Sequence, residues 1–200
     1  MTIVDSVRQP IEASIAVKQR MLADNELLEG IVKVGELFSA CFARGGKVLI
    51  AGNGGSAADA QHIAAEFVGR FKHERRGLPA IALTTDTSIL TAVANDYGYA
   101  KVFRRQVEAL SRPGDVLVAI STSGESGSIL EAVSAAKEFG VLTVGLTGAG
   151  GGRLAKMCDQ PLRVQSTETA RIQEAHILIG HILCELVDHS AAGPETRDAE

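Results

Sequence analysis

Four side chains in this sequence are of types suited to holding a metal ion or moving a proton: His62, Glu66, Gln173 and His181. His62 and Glu66 are four apart, so on a helix they share a face. Gln173 and His181 are eight apart, about 80° from eclipsed and roughly 12 Å along a helix axis, and reach one ion only if it sits between them. Two imidazoles and a carboxylate suit zinc or another divalent metal, with a glutamine carbonyl as a tolerable fourth donor. Glu66 and His181 also make a general base and a general acid. Each has a plainer reading. A helical His-x-x-x-Glu is commonly a surface polar pair. His181 sits in the apolar run HILIGHILCEL, where a hydrogen-bonded core histidine is the ordinary explanation.

Two loops offer anion binding. Gly52-Asn53-Gly54-Gly55-Ser56 leads from an apolar run into a helical one. Its glycines let backbone amides approach an anion, and a helix N-terminus adds an oriented positive field. The alternative is a tight turn that merely needs glycine. Ala57 stands where a dinucleotide fingerprint GxGxxG has its third glycine, which leaves that reading open, and the lack of a following Lys-Ser/Thr excludes a P-loop. Ser121-Thr122-Ser123-Gly124-Glu125-Ser126 holds an equivalent place, and its four hydroxyls suit a phosphate without lysine or arginine; the alternative is helix capping. The matching positions favour anion binding for both. Thr147 to Gly152 also follows an apolar run, but glycine dominates it and a flexible turn is expected. Asp59, Asp86 and Asn95-Asp96 read as cap or turn formers. Lys72 to Arg76 reads as a solvated charged loop.

The elements that must position these residues follow from periodicity. Gln9 to Arg44 is helical, with Leu27, Ile31, Val34, Phe38 and Cys41 lining one face, Ile11, Ile15 and Leu22 continuing a stripe, and Asp24-Asn25 as a cap or turn. Such helices leave an apolar seam that wraps onto the chain's own sheet or pairs with another subunit. Beyond Gly45-Gly46 come short apolar runs at 47–51, 80–84, 115–120, 141–146 and 160–164. Helical stretches at 56–70, 88–110 (in two pieces) and 128–139 separate the first four, and 171–189 closes the pattern. Strands alternating with helices predict an α/β protein: a parallel sheet covered on both faces, with ligands beyond the carboxyl ends of the strands. Residues from about 191 read as a loose tail.

The 200 residues are 46% hydrophobic and 22% charged, which fits one soluble domain. No apolar run of about 18 residues exists, so a membrane span is excluded, and the mixed charges of the first twenty residues do not resemble a signal peptide. A net charge of −4 with scattered bases disfavours nucleic acid as partner. Cys41, Cys158 and Cys184 form no paired motif and read as reduced, buried thiols of a cytosolic protein.

Four segments carry a resemblance: Gly52 to His62 (GNGGSAADAQH), Ala94 to Tyr99 (ANDYGY), Ile120 to Gly124 (ISTSG) and Arg171 to Glu174 (RIQE). In this order they resemble the bacterial phosphoheptose isomerases of the sugar-isomerase (SIS) domain superfamily, over nearly the whole chain. The resemblance implies a three-layer αβα sandwich of flavodoxin-like type, with helices at 1–44 that build a homotetramer, a SIS domain at 45–190 and a tail at 191–200. It places Asn53, Gly54, Gly55, Ser56, Asn95 and Asp96 at substrate-contacting positions, and Ser121, Thr122, Ser123 and Ser126 in the phosphate pocket. His62, Glu66, Gln173 and His181 fall on zinc-ligand positions, one ion per subunit, with Glu66 and Gln173 also toward substrate and Glu66 and His181 as base and acid. The implied reaction is sedoheptulose 7-phosphate to D-glycero-D-manno-heptose 7-phosphate in the cytoplasm. Glu125 departs from the asparagine expected there: pointing outward it costs nothing, and pointing inward it weakens phosphate binding. Two other readings of the resemblance are a non-catalytic SIS regulator that binds the replication initiator, against which Glu66 argues, and another phosphosugar SIS enzyme.

Overall fold

The computed structural model describes residues 2–191. Five strands, β1 (Val48–Ala51), β2 (Ala80–Ala82), β3 (Val116–Ile120), β4 (Leu142–Thr147) and β5 (Gln160–Arg163), form one parallel sheet in the order β2-β1-β3-β4-β5. The helices are α1 (Ile3–Ala23), α2 (Asn25–Ala43), α3 (Gly55–Val68), α4 (Thr87–Tyr97), α5 (Arg104–Leu110), α6 (Gly127–Glu138), α7 (Gly152–Met157) and α8 (Thr169–Ala191). β1 and β3 are buried along their whole length, as strands covered on both faces must be. Their alternation divides the core. Val48, Ile50, Val116 and Val118 pack under α2, α3 and α8, while Leu49, Leu117 and Ala119 pack under α5, α6 and α7. The predicted three-layer α/β sandwich is therefore the observed one.

The helical run expected from Gln9 is two helices, broken where predicted. Asp24 caps α2 by accepting from the Leu27 amide, and the predicted stripe from Leu27 to Cys41 is the buried face of α2. α1 begins earlier than its pattern suggests, at Ile3, behind a reciprocal Thr2–Asp5 capping box. Ile3, Val4 and Val7 extend the stripe of Ile11 and Ile15 at helical spacing into those first turns, ahead of the start expected at Gln9. Val17 and Met21 are buried, whereas Ile3, Val4, Val7, Ile11, Ile15 and Leu22 are exposed. The anticipated seam is thus present, and Ile11, Ile15 and Leu22 lie outside this chain's own core. The 88–110 region is α4 and α5 joined by a 3-10 turn at Tyr99–Lys101. α7 was not anticipated: six residues burying Leu154 are too short to show a period. Residues 192–200 of the expected tail lie outside the described residues.

Candidate active site

β1 and β3 are neighbours in the sheet although β2 lies between them in the chain, so strand order reverses between them. In open parallel sheets the ligand crevice forms at the carboxyl ends of such strands. Both predicted anion loops are there, and Asn53 joins them. Asn53 Nδ2 donates to Ser126 Oγ at 2.9 Å and to Ser128 Oγ at 3.0 Å, while Asn53 Oδ1 accepts from the Tyr99 hydroxyl at 2.7 Å. The Ser56 amide donates to the Asn53 carbonyl, closing the first loop onto α3. Gly54, the N-cap of α3, takes a φ of +56°, which a side chain would resist.

In the second loop Ser121 is buried and lies 3.5 Å from Ser123 Oγ, which accepts from the Glu125 amide. Ser126 is the N-cap of α6, yet its hydroxyl makes no capping bond. The glycine-rich 147–152 run, expected to be a flexible turn, instead buttresses this loop. Gly148 N donates to Thr122 O and Leu154 N to Gly124 O, each at 3.0 Å, and a Cβ on Gly124 would strike the Gly151 carbonyl. Glu125 faces outward: its carboxylate accepts from Arg153 Nε at 2.7 Å and Arg153 N at 2.8 Å, bonds that hold it below the usual carboxylate range.

α3 and α8 bring the candidate acid–base residues together. A Cβ on Gly180 would lie 2.5 Å from Ile63 Cδ1, so the absence of a side chain lets the helices close up beside His181. His62 Nε2 and His181 Nε2 are 2.9 Å apart, and Glu66 Oε1 is 3.4 Å from His62 Nε2. Phe71 stacks on His181 with ring centroids 5.7 Å apart. Gln173 turns its Nε2 to Asp59 Oδ1 at 2.5 Å. Asp59, read from sequence as a cap or turn former, is a buried member of this cluster. Burial raises its carboxyl to about 6 against the opposing pull of Gln173 and His62, and its Oδ2 has no hydrogen-bond partner. The missed signal was its spacing, since Asp59, His62 and Glu66 follow one helical face. Asn95 and Asp96 bond to each other on the exposed last turn of α4; the side chain of that segment that bonds into the loops is Tyr99.

The donor types suit a divalent cation. Two ring nitrogens at hydrogen-bond distance need one proton between them, and a cation can take that proton's place. Their present separation is shorter than the roughly 3.3 Å that two ligand atoms keep on tetrahedral zinc with bonds of about 2.0–2.1 Å. Among the described residues no group of three or more His, Cys, Asp or Glu side chains is arranged to hold a metal ion. The residue types thus fit a divalent ion, while their present spacing is that of a hydrogen-bonded pair of rings.

Lys72 to Arg76, expected to be solvated, contains the fastening of this cluster. The Arg75 side chain is buried and donates from Nε to Asp188 Oδ1 at 2.5 Å, and its other nitrogens serve the carbonyls of Glu66 and Phe67. Asp188 Oδ2 accepts from the amides of Lys72 and His73. Burial pushes the Asp188 carboxyl up, but these bonds outweigh it and hold it below the usual range. The C-terminal turn of α3, which carries Glu66, is thereby pinned to α8, which carries His181. The three cysteines are free and buried; burial raises all three thiols, Cys158 and Cys184 to about 12, so none is a nucleophile at neutral pH.

The SIS domain family profile matches residues 11–148. A phosphoheptose isomerase of Aneurinibacillus thermoaerophilus is 54% identical over 186 residues, covering 93% of this chain and 94% of its own. Another, from Roseiflexus sp. strain RS-1, is 59% identical over 180 residues, 90% of each chain. The structure of phosphoheptose isomerase GmhA from Neisseria gonorrhoeae superposes with a TM-score of 0.89 at 48% identity, over 94% of this chain and all of that one. With Glu66 and His181 meeting at His62, and a glycine-rich and a hydroxyl-rich loop joined through Asn53, this chain belongs to the phosphoheptose isomerases of the SIS domain family.

Proposed function

We propose that the enzyme converts sedoheptulose 7-phosphate to D-glycero-D-manno-heptose 7-phosphate through an enediol, supplying precursors of nucleotide-activated heptoses for cell-surface polysaccharides. The observation that carries this is the approach of Glu66 and His181 to His62, on α8 and on α3, the helix that follows the glycine-rich loop at the strand-order reversal, with Asn53 of that loop bonded to the hydroxyls of Ser126 and Ser128. Ser121, Thr122, Ser123 and Ser126 hold the phosphate, with Asn53, Gly54, Gly55, Ser56, Asn95, Asp96 and Gln173 toward the sugar. Glu66 takes the proton from the carbon beside the carbonyl and returns it to the neighbouring carbon. His181 gives and accepts protons at the sugar oxygens. Zinc, held by His62, Glu66, Gln173 and His181, would polarise the carbonyl and stabilise negative charge on its oxygen. A carboxylate bound to a cation is a weaker base, so the two roles of Glu66 compete.

The residues at 1–44 serve assembly within the same domain as 45–190. The exposed apolar face of α1 supports a homotetramer, and the chain's overall acidity supports a partner set without nucleic acid. Among the described residues no helix is long and apolar enough to cross a membrane, and a cytoplasmic site of action accords with three free cysteines.

Incubation with sedoheptulose 7-phosphate, followed by NMR, tests the reading. Aldoheptose 7-phosphate is expected from the native chain and none from Glu66→Gln. No product with added zinc overturns it, and full activity after chelation leaves Glu66 as base without a metal.

A further inference from the structure

Both Nδ2 protons of Asn53 and one lone pair of its Oδ1 go to protein partners, and the direction of those bonds has chemical content. Its two Nδ2 protons go to Ser126 Oγ and Ser128 Oγ, so both serine oxygens act as acceptors there. A hydroxyl has one proton. With their oxygens already engaged as acceptors, the two serines share one hydrogen bond at 3.4 Å, which uses one of their two protons and leaves the other for donation. Ser126 does not spend its hydroxyl on capping α6. A phosphate dianion can only accept, so donors are what it needs. Turning the Asn53 amide over would reverse everything: the serines would donate to Oδ1 and present lone pairs to the anion.

Tyr99 decides between these states. Its hydroxyl meets Asn53 at the opposite end of the amide, 2.7 Å from Oδ1. A phenol is a better donor than acceptor, because its oxygen lone pair is delocalised into the ring, and it therefore holds the carbonyl end of the amide toward itself. We propose that Tyr99 is a positioning residue for phosphate binding: by donating to Asn53 Oδ1 it fixes the amide so that the hydrogen-bonded Ser126–Ser128 pair is left with a proton to donate toward the substrate's phosphate. This rests on the reading that the loop after β3 holds that phosphate. It gives Tyr99 of the ANDYGY segment a role of its own, apart from Asn95 and Asp96, which bond to each other.

Inorganic phosphate serves as the probe beside sedoheptulose 7-phosphate. Tyr99→Phe removes one exposed hydroxyl. It should raise KM and the inhibition constant of phosphate by the same factor, roughly fivefold to tenfold, the size of one neutral hydrogen bond, with kcat within about twofold. Asn53→Asp keeps the shape but cannot donate, so phosphate inhibition should fall further, and adding Tyr99→Phe to it should change nothing more. Unchanged KM and phosphate inhibition in Tyr99→Phe, or a loss confined to kcat, overturns the proposal. If Tyr99→Phe is poorly folded, unchanged phosphate inhibition in Asn53→Asp overturns it equally. A native enzyme that binds phosphate but leaves sedoheptulose 7-phosphate untouched refutes the substrate reading instead, and the phosphate constants still decide the role of Tyr99.

Discussion

Replacing Arg75 by alanine should loosen the enzyme far more than the removal of a loop cation ordinarily does. The guanidinium and the Asp188 carboxylate are 5% and 1% exposed, so neither charge is served by water. Alanine would leave Asp188 with the two amides of Lys72 and His73, and would strip the Glu66 and Phe67 carbonyls of a donor. Breaking one side of a buried pair costs about 3–5 kcal/mol, and the two remaining amides place this case near about 3. For a domain of this size that lowers Tm by about 6–12 °C. Thermal unfolding at fixed protein concentration measures it, with Arg75→Lys as the control that keeps charge but loses the fork. Because the same residue pins the turn carrying Glu66, kcat should fall at temperatures where the variant is still folded. The pair also has a pH signature. Asp188 is held below its unfolded value, so its contribution is full above that value, about 3.9, and is lost as pH falls through the lower folded one. A Tm within about 2 °C of native would refute the clamp.

His176 is wholly buried and burial lowers it to about 4, so it is neutral in the fold and protonates first in the unfolded chain. Stability should drop by about 2 kcal/mol between pH 7 and pH 5 from this group, and denaturant unfolding of His176→Gln should show that much less pH dependence; an unchanged slope refutes it. Glu125→Asn should leave the substrate KM within about twofold of native, because the carboxylate is turned outward to Arg153 in an exposed, solvent-screened pair; a large fall in KM would mean that the carboxylate faces the phosphate. Substituting Ile11 and Ile15 by aspartate should reduce the mass measured in solution at micromolar concentration without lowering helix content, and an unchanged mass would remove α1 from the assembly surface.

What could be read from the amino-acid pattern was whatever repeats locally. β1 and β3 are unbroken apolar runs because both faces are covered, and the α2 stripe is a plain helical period. His62, Glu66, Gln173 and His181 were legible by type, and their helices by periodicity. What stayed hidden depends on partners distant in the chain. Arg75 looks like any residue of a charged loop until Asp188, 113 positions on, is laid against it. Asp59 gives no sign of burial until Gln173 arrives from α8. Glu125 could not be assigned inward or outward before α7 existed to offer Arg153, and α7 itself was hidden behind glycines whose task is the close approach of two backbones.

The close contact at Gly180 gives that position an unusual leverage. It is chemically inert, yet the next residue is His181, and the gap between α3 and α8 is held at its width by a missing methyl. A methyl inserted there would press on the Ile63 side chain and so bear on how closely α3 and α8 approach, and with it on the separation of the His62 and His181 rings, without altering either. The residue works as a spacer of fixed gauge. Variation at this glycine would therefore be felt at the pair of rings as well as in the packing, so the constraint on the site extends to an atom the substrate never meets.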